Sequence, residues 1–246
     1  MNLKKGTSSL ILEKILDEVY DTLRDLTIED YVIGLNYVAV RTEVGTGLAY
    51  SFFDNQQSEC CMDITSLNGI KGKEVVNFIY KNDFLLNSVL VATINSILKN
   101  GIEDNLQLYD RFDFKDKIVG MVGDFKPLTK NIKDTAKRLD IYELKNFPGT
   151  IKPNFAKLFL RETDYLIITG STIVNFTADD FINFAKDTCE IIFVGPTVPL
   201  STALSETAHI AGSTVKDHSE CFDMVKKGGG MHALKKYLDK KWLGKH

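Results

Sequence analysis

The chain has 246 residues, of which 44% are hydrophobic, so it can bury one large core or two smaller ones. Its formal net charge of -3 gives no overall attraction to nucleic acid or to an anionic membrane. No apolar run reaches the roughly 20 residues that a membrane-spanning helix needs. Leu10-Ile11-Leu12 is followed at once by Glu13, which predicts an amphipathic helix and not a signal peptide. We therefore expect a cytoplasmic protein.

The first half of the chain has the pattern of an α+β domain, which we place at residues 1–112. Tight turns between its short strands predict an antiparallel meander, and Asn100-Gly101 is a usual pair for ending a helix. The polar residues 102–116 are expected to form the connection to the second half. The predicted elements are a helix at 8–26, strands at 31–34, 36–40 and 47–52, and helices at 72–80 and 85–98.

From Lys117 onward, strands and helices alternate strictly, which predicts right-handed crossovers and a parallel sheet. We expect a Rossmann-like, doubly wound α/β domain over residues 113–246. The predicted strands are 117–122, 139–144, 165–169, 189–194 and 208–211. The predicted helices are 127–137, 153–161, 177–187, 199–205, 217–227 and 231–241.

Three short apolar runs in this half end in glycine and continue into small polar residues. The turns are Gly123-Asp124, Gly170-Ser171-Thr172 and Gly195-Pro196-Thr197, with a weaker fourth copy at Gly212-Ser213-Thr214. Glycine lets the chain turn sharply and lets backbone amides approach a ligand. In open α/β sheets, ligands bind outside the carboxyl ends of the strands. The sequence therefore predicts a binding crevice at these turns.

The segment from Thr169 to Thr177 is the densest of these motifs. Thr177, followed by two aspartates, is expected to cap a helix. Ser171, Thr172 and Asn175 then remain to hydrogen-bond a carboxylate, a phosphate or a polar heterocycle. By contrast, Gly120 and Gly123 form only G-x-x-G, which falls short of the dinucleotide fingerprint.

Two further loops each allow two interpretations. The loop from Gly195 to Pro199 is stiffened by two prolines, so it is either a preorganised binding wall or a simple helix start. The run Gly228-Gly229-Gly230 is either a hinge between helices or a nest of amides for an anion, with His232 just beyond it.

Metal ligation has limited support from spacing. His218-x-x-Cys221 places two ligands on one helical face, but no second pair has comparable spacing, and Cys60-Cys61 point apart if extended. We expect the four cysteines to be free thiols. A site that draws on Glu43, Asp63 or Asp124 stays open. Nucleophilic catalysis has no support, since G-x-S-x-G is absent.

In the first half, Asn95 lies in an otherwise apolar helix, and a buried asparagine must find partners. Either it braces the hairpin at 41–50 or it faces a cleft between the domains. Arg41 and Glu43 in that hairpin are explained most simply as a surface ion pair.

Taken together, several motifs resemble a bacterial and archaeal family named for heavy-metal chelation. The motifs that carry the resemblance are Gly47–Tyr50, Ala92-x-x-Asn95-Ser96, Thr169–Thr177, Gly195–Pro199 and Gly228–Gly230. The resemblance implies an N-terminal domain similar to the enolase N-terminal fold, a Rossmann-like domain, and a site in the cleft between them. Carried over, the cleft residues would be Thr169, Gly170, Ser171, Thr172, Asn175, Gly195, Pro196 and Thr197, with Glu43 and Asn95 approaching from the first domain.

Three functional hypotheses follow. The first is a protein that binds a small anionic or metal-bearing organic ligand, with Gly123, Asp124, Gly229 and Gly230 added to the cleft residues. The second is direct handling of a transition-metal ion by Glu43, Asp124, His218, Cys221 or His232. The third is a nucleotide- or S-adenosylmethionine-dependent enzyme with Glu143 on the ribose. The sequence leaves catalysis and a homo-oligomer open, and it predicts neither a nucleic-acid nor a membrane partner.

Overall fold

The structure, a computed structural model, describes residues 10–53, 66–81 and 83–246. Its described helices are α1 Ile11–Asp25, α2 Gly72–Val75, α3 Phe84–Ile97, α4 Leu108–Arg111, α5 Lys126–Lys133, α6 Ala156–Phe159, α7 Ser171–Val174, α8 Ala178–Phe184, α9 Thr202–Ser205, α10 His218–Lys226 and α11 Met231–Leu234. Its described strands are β1 Ile28–Ile33, β2 Tyr37–Thr42, β3 Gly45–Tyr50, β4 Ile102–Glu103, β5 Ile118–Val122, β6 Arg138–Tyr142, β7 Tyr165–Thr169, β8 Glu190–Val194, β9 His209–Val215 and β10 Leu238–Leu243.

The strands of the described chain form two sheets, which confirms the predicted mixed α/β class. Strands β1, β2 and β3 make a three-stranded antiparallel meander. The larger sheet has the order β4-β10-β9-β8-β7-β5-β6, and its five strands from β9 to β6 are all parallel. The alternation of strand and helix after Lys117 therefore has the topology that it predicted.

One edge of the larger sheet corrects the sequence interpretation. Residues 231–241 were expected to form a helix, but only Met231–Leu234 is α-helical, and Leu238–Leu243 forms β10. β10 runs antiparallel to β9 and pairs with β4, a strand within the segment that was expected to be a plain connection. Gly212 is not a fourth turn, because β9 runs through it and pairs it with Lys241.

Helix α3 lies at the centre of the first half, and nearly all of its residues are buried. A helix that is apolar all round must be covered on every side, and α3 packs on β2, β3, α1 and α7. Asp83 caps its start by accepting from the Leu85 and Leu86 amides. Asn100-Gly101 does not end the helix as expected, because the helix already ends at Ile97. The side-chain amide of Asn100 instead donates to the Leu200 carbonyl.

Helix α1 is tied to the larger sheet by caps at two helix starts. The Asp179 carboxylate accepts from the Ile11 amide, the first of α1. In the other direction, Glu18 accepts from the Thr202 and Ala203 amides at the start of α9, at 3.0 and 3.1 Å. Burial raises the pKa of Glu18, but the hydrogen bonds from Ser201, Ala203 and Thr202 outweigh it, so that the pKa lies below the usual value. No helix of the described residues has the length and apolarity to cross a membrane.

We predict that Glu18→Gln lowers the free energy of unfolding by about 1 kcal/mol at pH 7, since a helix cap is lost. A carboxyl with a depressed folded pKa stabilises fully above its unfolded pKa and loses that effect as pH falls through the folded pKa. The difference between the variant and the parent should therefore be full well above about pH 4.3 and should shrink as the pH falls below that value. Urea unfolding across pH measures this, with Asp17→Asn on the same exposed face as the control. A constant difference at every pH would contradict it.

Candidate ligand-binding site

The strand order creates a crevice between β5 and β7. After β5 the chain passes through α5 to β6, which lies on one side of the β5–β7 pair. After β7 it passes to β8, which lies on the opposite side of that pair. Helices that diverge in this way leave a gap outside the carboxyl ends of the two strands, and open α/β sheets bind their ligands at such a point. The turns at Gly123 and Gly170 both lie here, directly after β5 and β7.

A cavity of about 500 Å³ opens at this point, a size typical of small-molecule sites. Four parts of the chain enclose it: the end of β3, the end of β5, the end of β6 with its following loop, and the segment after β7. The lining residues are Tyr50, Ser51, Phe52, Val122, Gly123, Asp124, Phe125, Tyr142, Glu143, Leu144, Lys145, Phe147, Pro153, Thr169, Ser171, Thr172, Asn175, Thr177 and Phe181. The cavity therefore lies between the meander and the parallel sheet.

The turn after β5 brings two carboxylates to the cavity. Gly123 has φ +89°, a conformation that glycine adopts without strain. The Asp124 carboxylate pairs with Lys126 and accepts from the Thr129 hydroxyl at 3.0 Å, so its charge is already compensated. Glu143 accepts from the Asp124 amide at 3.3 Å and from the Lys145 amide at 3.0 Å. Two hydrogen bonds from backbone amides thus fix the Glu143 carboxylate, and no cation among the described residues forms an ion pair with it.

The segment after β7 supplies the hydroxyl and amide groups of the cavity, although local bonds already occupy several of them. The Thr172 hydroxyl donates to the Thr169 carbonyl at 2.7 Å. The Asn175 amide nitrogen, assigned from its surroundings, lies 2.7 Å from the Thr177 hydroxyl and 3.1 Å from the Thr172 carbonyl. Thr177 makes no side-chain cap to α8, so the predicted cap is wrong. Replacing Thr172 or Asn175 would disturb this local structure as well as any ligand contact.

Two hydroxyl groups at the cavity have no hydrogen-bond partner in the described structure. Ser51, just after β3, is 2% exposed, and Tyr142, at the end of β6, is 1% exposed. Neither the Ser51 Oγ nor the Tyr142 hydroxyl has a partner. Burial, with Asp140 nearby, raises the pKa of Tyr142, so its hydroxyl stays protonated. Leaving a buried polar group unpaired costs stability, so each of these two hydroxyls would gain from a hydrogen bond to an ordered water or to a ligand.

The loop after β8 does not line the cavity. Pro196 and Thr197 are buried beneath the first half of the chain. The Asn95 amide nitrogen donates to the carbonyls of Leu48 at 2.8 Å and Thr197 at 3.0 Å. The Thr197 hydroxyl accepts from the Tyr50 amide at 2.9 Å. Asn95 therefore braces the hairpin against this loop, and it is not among the residues that line the cavity.

The glycines of these loops serve turns and close packing. A Cβ at Gly170 would lie 2.6 Å from the Val198 backbone nitrogen, so the turn after β7 rests directly on the loop after β8. Gly195, with φ +106°, begins that loop. Neither glycine is among the residues that line the cavity, and of the two only Gly170 is packed tightly against its neighbours.

Three other predicted site residues lie away from the cavity. Glu43, at the hairpin turn, accepts from the Thr27 amide at 3.0 Å, and this bond lowers its pKa. Gly229 donates its amide to the Met224 carbonyl and so helps to end α10. Gly230 follows as the residue before α11, near the Asn36 side chain. The glycine run therefore connects two helices, the commoner of its two interpretations.

The described residues do not fit a bare metal ion. Among residues 10–53, 66–81 and 83–246, no group of three or more His, Cys, Asp or Glu side chains is arranged to hold one. Cys221 packs in an apolar cluster while His218 is exposed, and burial raises the pKa of both Cys189 and Cys221 to about 12. His232 is exposed on α11. Cys60, Cys61 and Asp63 lie outside the described residues.

Sequence reasoning missed the aromatic part of the cavity. Tyr50 and Phe52 come from the end of β3, Tyr142 and Phe147 from β6 and its loop, and Phe181 from α8. Of these, Tyr142 had an available signal, because it ends a parallel strand next to Glu143. The others are brought in by the packing of one sheet against the other, which no local pattern encodes.

Comparison with known proteins places the chain in a family. Two family models match it, DUF364 over residues 108–243 and DUF4213 over residues 16–98, and both are described as "Putative heavy-metal chelation". The first model covers more than half of the chain, so the protein belongs to this family. The resemblance inferred from the motifs is thereby confirmed.

Solved structures and a sequence relative agree with this assignment. A DUF364 protein of unknown function from Pyrococcus horikoshii superposes with a TM-score of 0.81 at 20% identity, covering 94% of this chain and 98% of that one. Another from Desulfitobacterium hafniense gives a TM-score of 0.78 at 22% identity, covering 96% and 100%. An uncharacterized protein of Methanocaldococcus jannaschii is 25% identical, covering 85% of this chain and 88% of that protein. At these identities the structures show a shared fold alone.

We predict that Asn95→Ala lowers the free energy of unfolding by about 1–3 kcal/mol, because it leaves buried carbonyls on both sides unpaired. Chemical denaturation measures the loss. Asn105→Ala, at an exposed position, is the control and should change stability by less than about 0.5 kcal/mol. Equal effects of the two substitutions would show that the brace contributes nothing specific.

Proposed function

We propose that this protein binds a small organic ligand, anionic or metal-bearing, in the cleft between the Tyr50–Phe52 segment and the carboxyl ends of β5 and β7. The observation that carries the proposal is the pair of buried, unpartnered hydroxyls at Ser51 and Tyr142. A native structure rarely leaves such groups unpaired. A ligand with hydrogen-bonding atoms would pair both.

The lining also supports a ligand with an unsaturated ring. Tyr50 and Phe52 pack edge to face at 5.1 Å on one wall, and Phe125 and Phe147 lie on the opposite side, near Gly123 and Lys145. Aromatic side chains bury flat apolar rings well. The hydroxyl of Ser171 and the fixed Glu143 would then orient the polar substituents of that ring.

Any heavy metal would enter as part of the ligand. Among the described residues, the lining offers hydroxyls, one amide and two carboxylates, and it includes neither cysteine nor histidine. Soft metal ions prefer thiolate and imidazole ligands. The chelating atoms would therefore belong to the bound molecule, and the described protein residues would recognise its organic frame.

A second candidate is a nucleotide- or S-adenosylmethionine-dependent enzyme that uses the same crevice. Glu143 favours it, since this residue ends the strand next to β5 and stands twenty positions after Gly123. In dinucleotide-binding folds an acidic residue at that distance holds the ribose hydroxyls. Each Glu143 oxygen accepts one backbone bond and keeps a further lone pair for a hydroxyl.

The direct experiment is to identify what the protein retains. We expect mass spectrometry of an acid extract of untagged protein to yield one organic compound at a near-stoichiometric amount. Metal analysis of the same sample separates the hypotheses: metal without an organic compound would contradict the proposal. A thermal-shift panel with adenosine, S-adenosylmethionine and ATP tests the second candidate, and no response would remove it.

We predict that Ser51→Ala and Tyr142→Phe leave the melting temperature of the ligand-free protein unchanged or raised, because each removes a hydroxyl that has no partner. Ligand affinity should nevertheless fall about tenfold, the equivalent of one hydrogen bond. Ser213→Ala is the matched control: its hydroxyl is also buried and unpartnered, but Ser213 does not line the cavity. Unchanged affinity in both pocket variants would contradict the proposed contacts.

We also predict that Glu143→Gln weakens the binding of a nucleoside that responds in the thermal-shift panel. The dissociation constant should rise by about tenfold or more, since a charged acceptor of two hydroxyls becomes a neutral one. Isothermal titration with adenosine measures the change. Glu206→Gln, an exposed carboxylate away from the cavity, makes the same charge change and should have no effect. Equal weakening in both variants would point to overall charge instead of recognition.

A further inference from the structure

Residues 144–161, named here the basic strap, differ in charge from the rest of the chain. The strap contains Lys145, Lys152, Lys157 and Arg161 and no carboxylate, in a protein of net charge -3. Lys145, Lys157 and Arg161 make no ion pair with any described residue, and Lys152 donates to the Leu144 carbonyl. Unpaired cations in one exposed segment are available to bind anionic groups.

The basic strap also exposes large apolar side chains. Leu144 is 58% exposed and Leu158 is 64% exposed, and the others are Phe147, Phe155 and Phe159. All five lie within the 18 residues of the strap. Such a patch usually marks a contact with a partner or a membrane.

The fold holds these side chains outward. Ala156 and Leu160 of the strap are fully buried in the main core, so the opposite side of the same helical segment must face solvent. Phe155, Leu158 and Phe159 lie on that side at the spacing of one helical face. Pro148 and Gly149 form an exposed loop beside it, which carries Phe147.

We propose that the basic strap binds an anionic phospholipid surface, with Phe and Leu side chains in the interface and lysines at the headgroups. Cations that surround Phe and Leu are the composition of interfacial membrane segments. Protein interfaces are depleted in lysine, whereas three of the four cations here are lysine. A symmetric contact with a second copy would set these like charges against one another.

The net charge of the chain does not predict this contact. Net charge is a poor guide here, because charges farther away than about 8 Å are screened at physiological salt. What counts is the local charge of the strap. Leu144, Lys145, Phe147 and Pro153 also line the mouth of the cavity. Docking would therefore turn the cavity mouth toward the bilayer surface.

The experiment is co-sedimentation of the purified protein with vesicles of phosphatidylcholine containing 30 mol% phosphatidylserine, compared with phosphatidylcholine alone. We expect at least tenfold stronger binding to the anionic vesicles, and weaker binding as salt rises. Two double variants should each bind the anionic vesicles at least tenfold more weakly than the parent: Lys157→Glu/Arg161→Glu and Phe155→Ser/Leu158→Ser. Circular dichroism checks folding, which these exposed substitutions should not disturb.

The matched control is Lys130→Glu/Lys133→Glu on α5, which makes the same charge change at exposed positions on the other face of the sheet. It should bind anionic vesicles within twofold of the parent. Equal loss in the control would overturn the proposal. Absence of vesicle binding would also overturn it. Two alternative occupants are then tested: a second copy of the chain, by whether Phe155→Ser/Leu158→Ser dissociates a dimer in sedimentation velocity, and an acidic protein, by binding of polyglutamate.

Discussion

The side-chain amide of Asn95 joins the two sheets by hydrogen bonds across their interface. It donates to the Leu48 carbonyl of β3 and to the Thr197 carbonyl after β8, and the Thr197 hydroxyl accepts from the Tyr50 amide. These bonds fix the end of β3 over the parallel sheet. The residues that follow Tyr50 then become one wall of the cavity. Because the bonds are partly or fully removed from water, losing one leaves unpaired polar groups and not a simple gap.

The cavity itself follows from two features of different origin. Strand order opens a gap between β5 and β7, which any chain with this topology would have. The particular lining comes from the meander, whose last residues close one side of the gap. The unpaired hydroxyls of Ser51 and Tyr142 add two hydrogen-bonding groups to that lining.

Sequence reasoning succeeded where one local rule acts alone. The turns at Gly123, Gly170 and Gly195 were found because a buried strand that ends in glycine has few alternatives. It failed where two segments compete for one role. Thr197 lies in a loop whose composition is typical of a binding site. Helix α3 and strand β3 cover this loop, including Pro196, and the sequence of the loop alone does not reveal that cover.

The same limit explains the other errors. Leu238–Leu243 contains lysines and apolar residues that suit a helix end, but pairing with β9 over its length outweighs that preference. Thr177 looked like a cap because it precedes two aspartates, whereas one of them, Asp179, serves the start of α1 instead. For Leu238–Leu243 and for Asp179 the partner is distant in the sequence, and such partners are visible only once the chain has folded.

The caps that join α1 to the larger sheet have a kinetic meaning. Glu18 reaches residues 201–203, and Ile11 reaches Asp179, so both contacts close loops of well over a hundred residues. Long-range closures of this kind slow folding. The two caps of α1 can form only after the segments at Asp179 and at residues 201–203 have reached their places. Two sheets that look separable along the sequence should therefore gain part of their stability together.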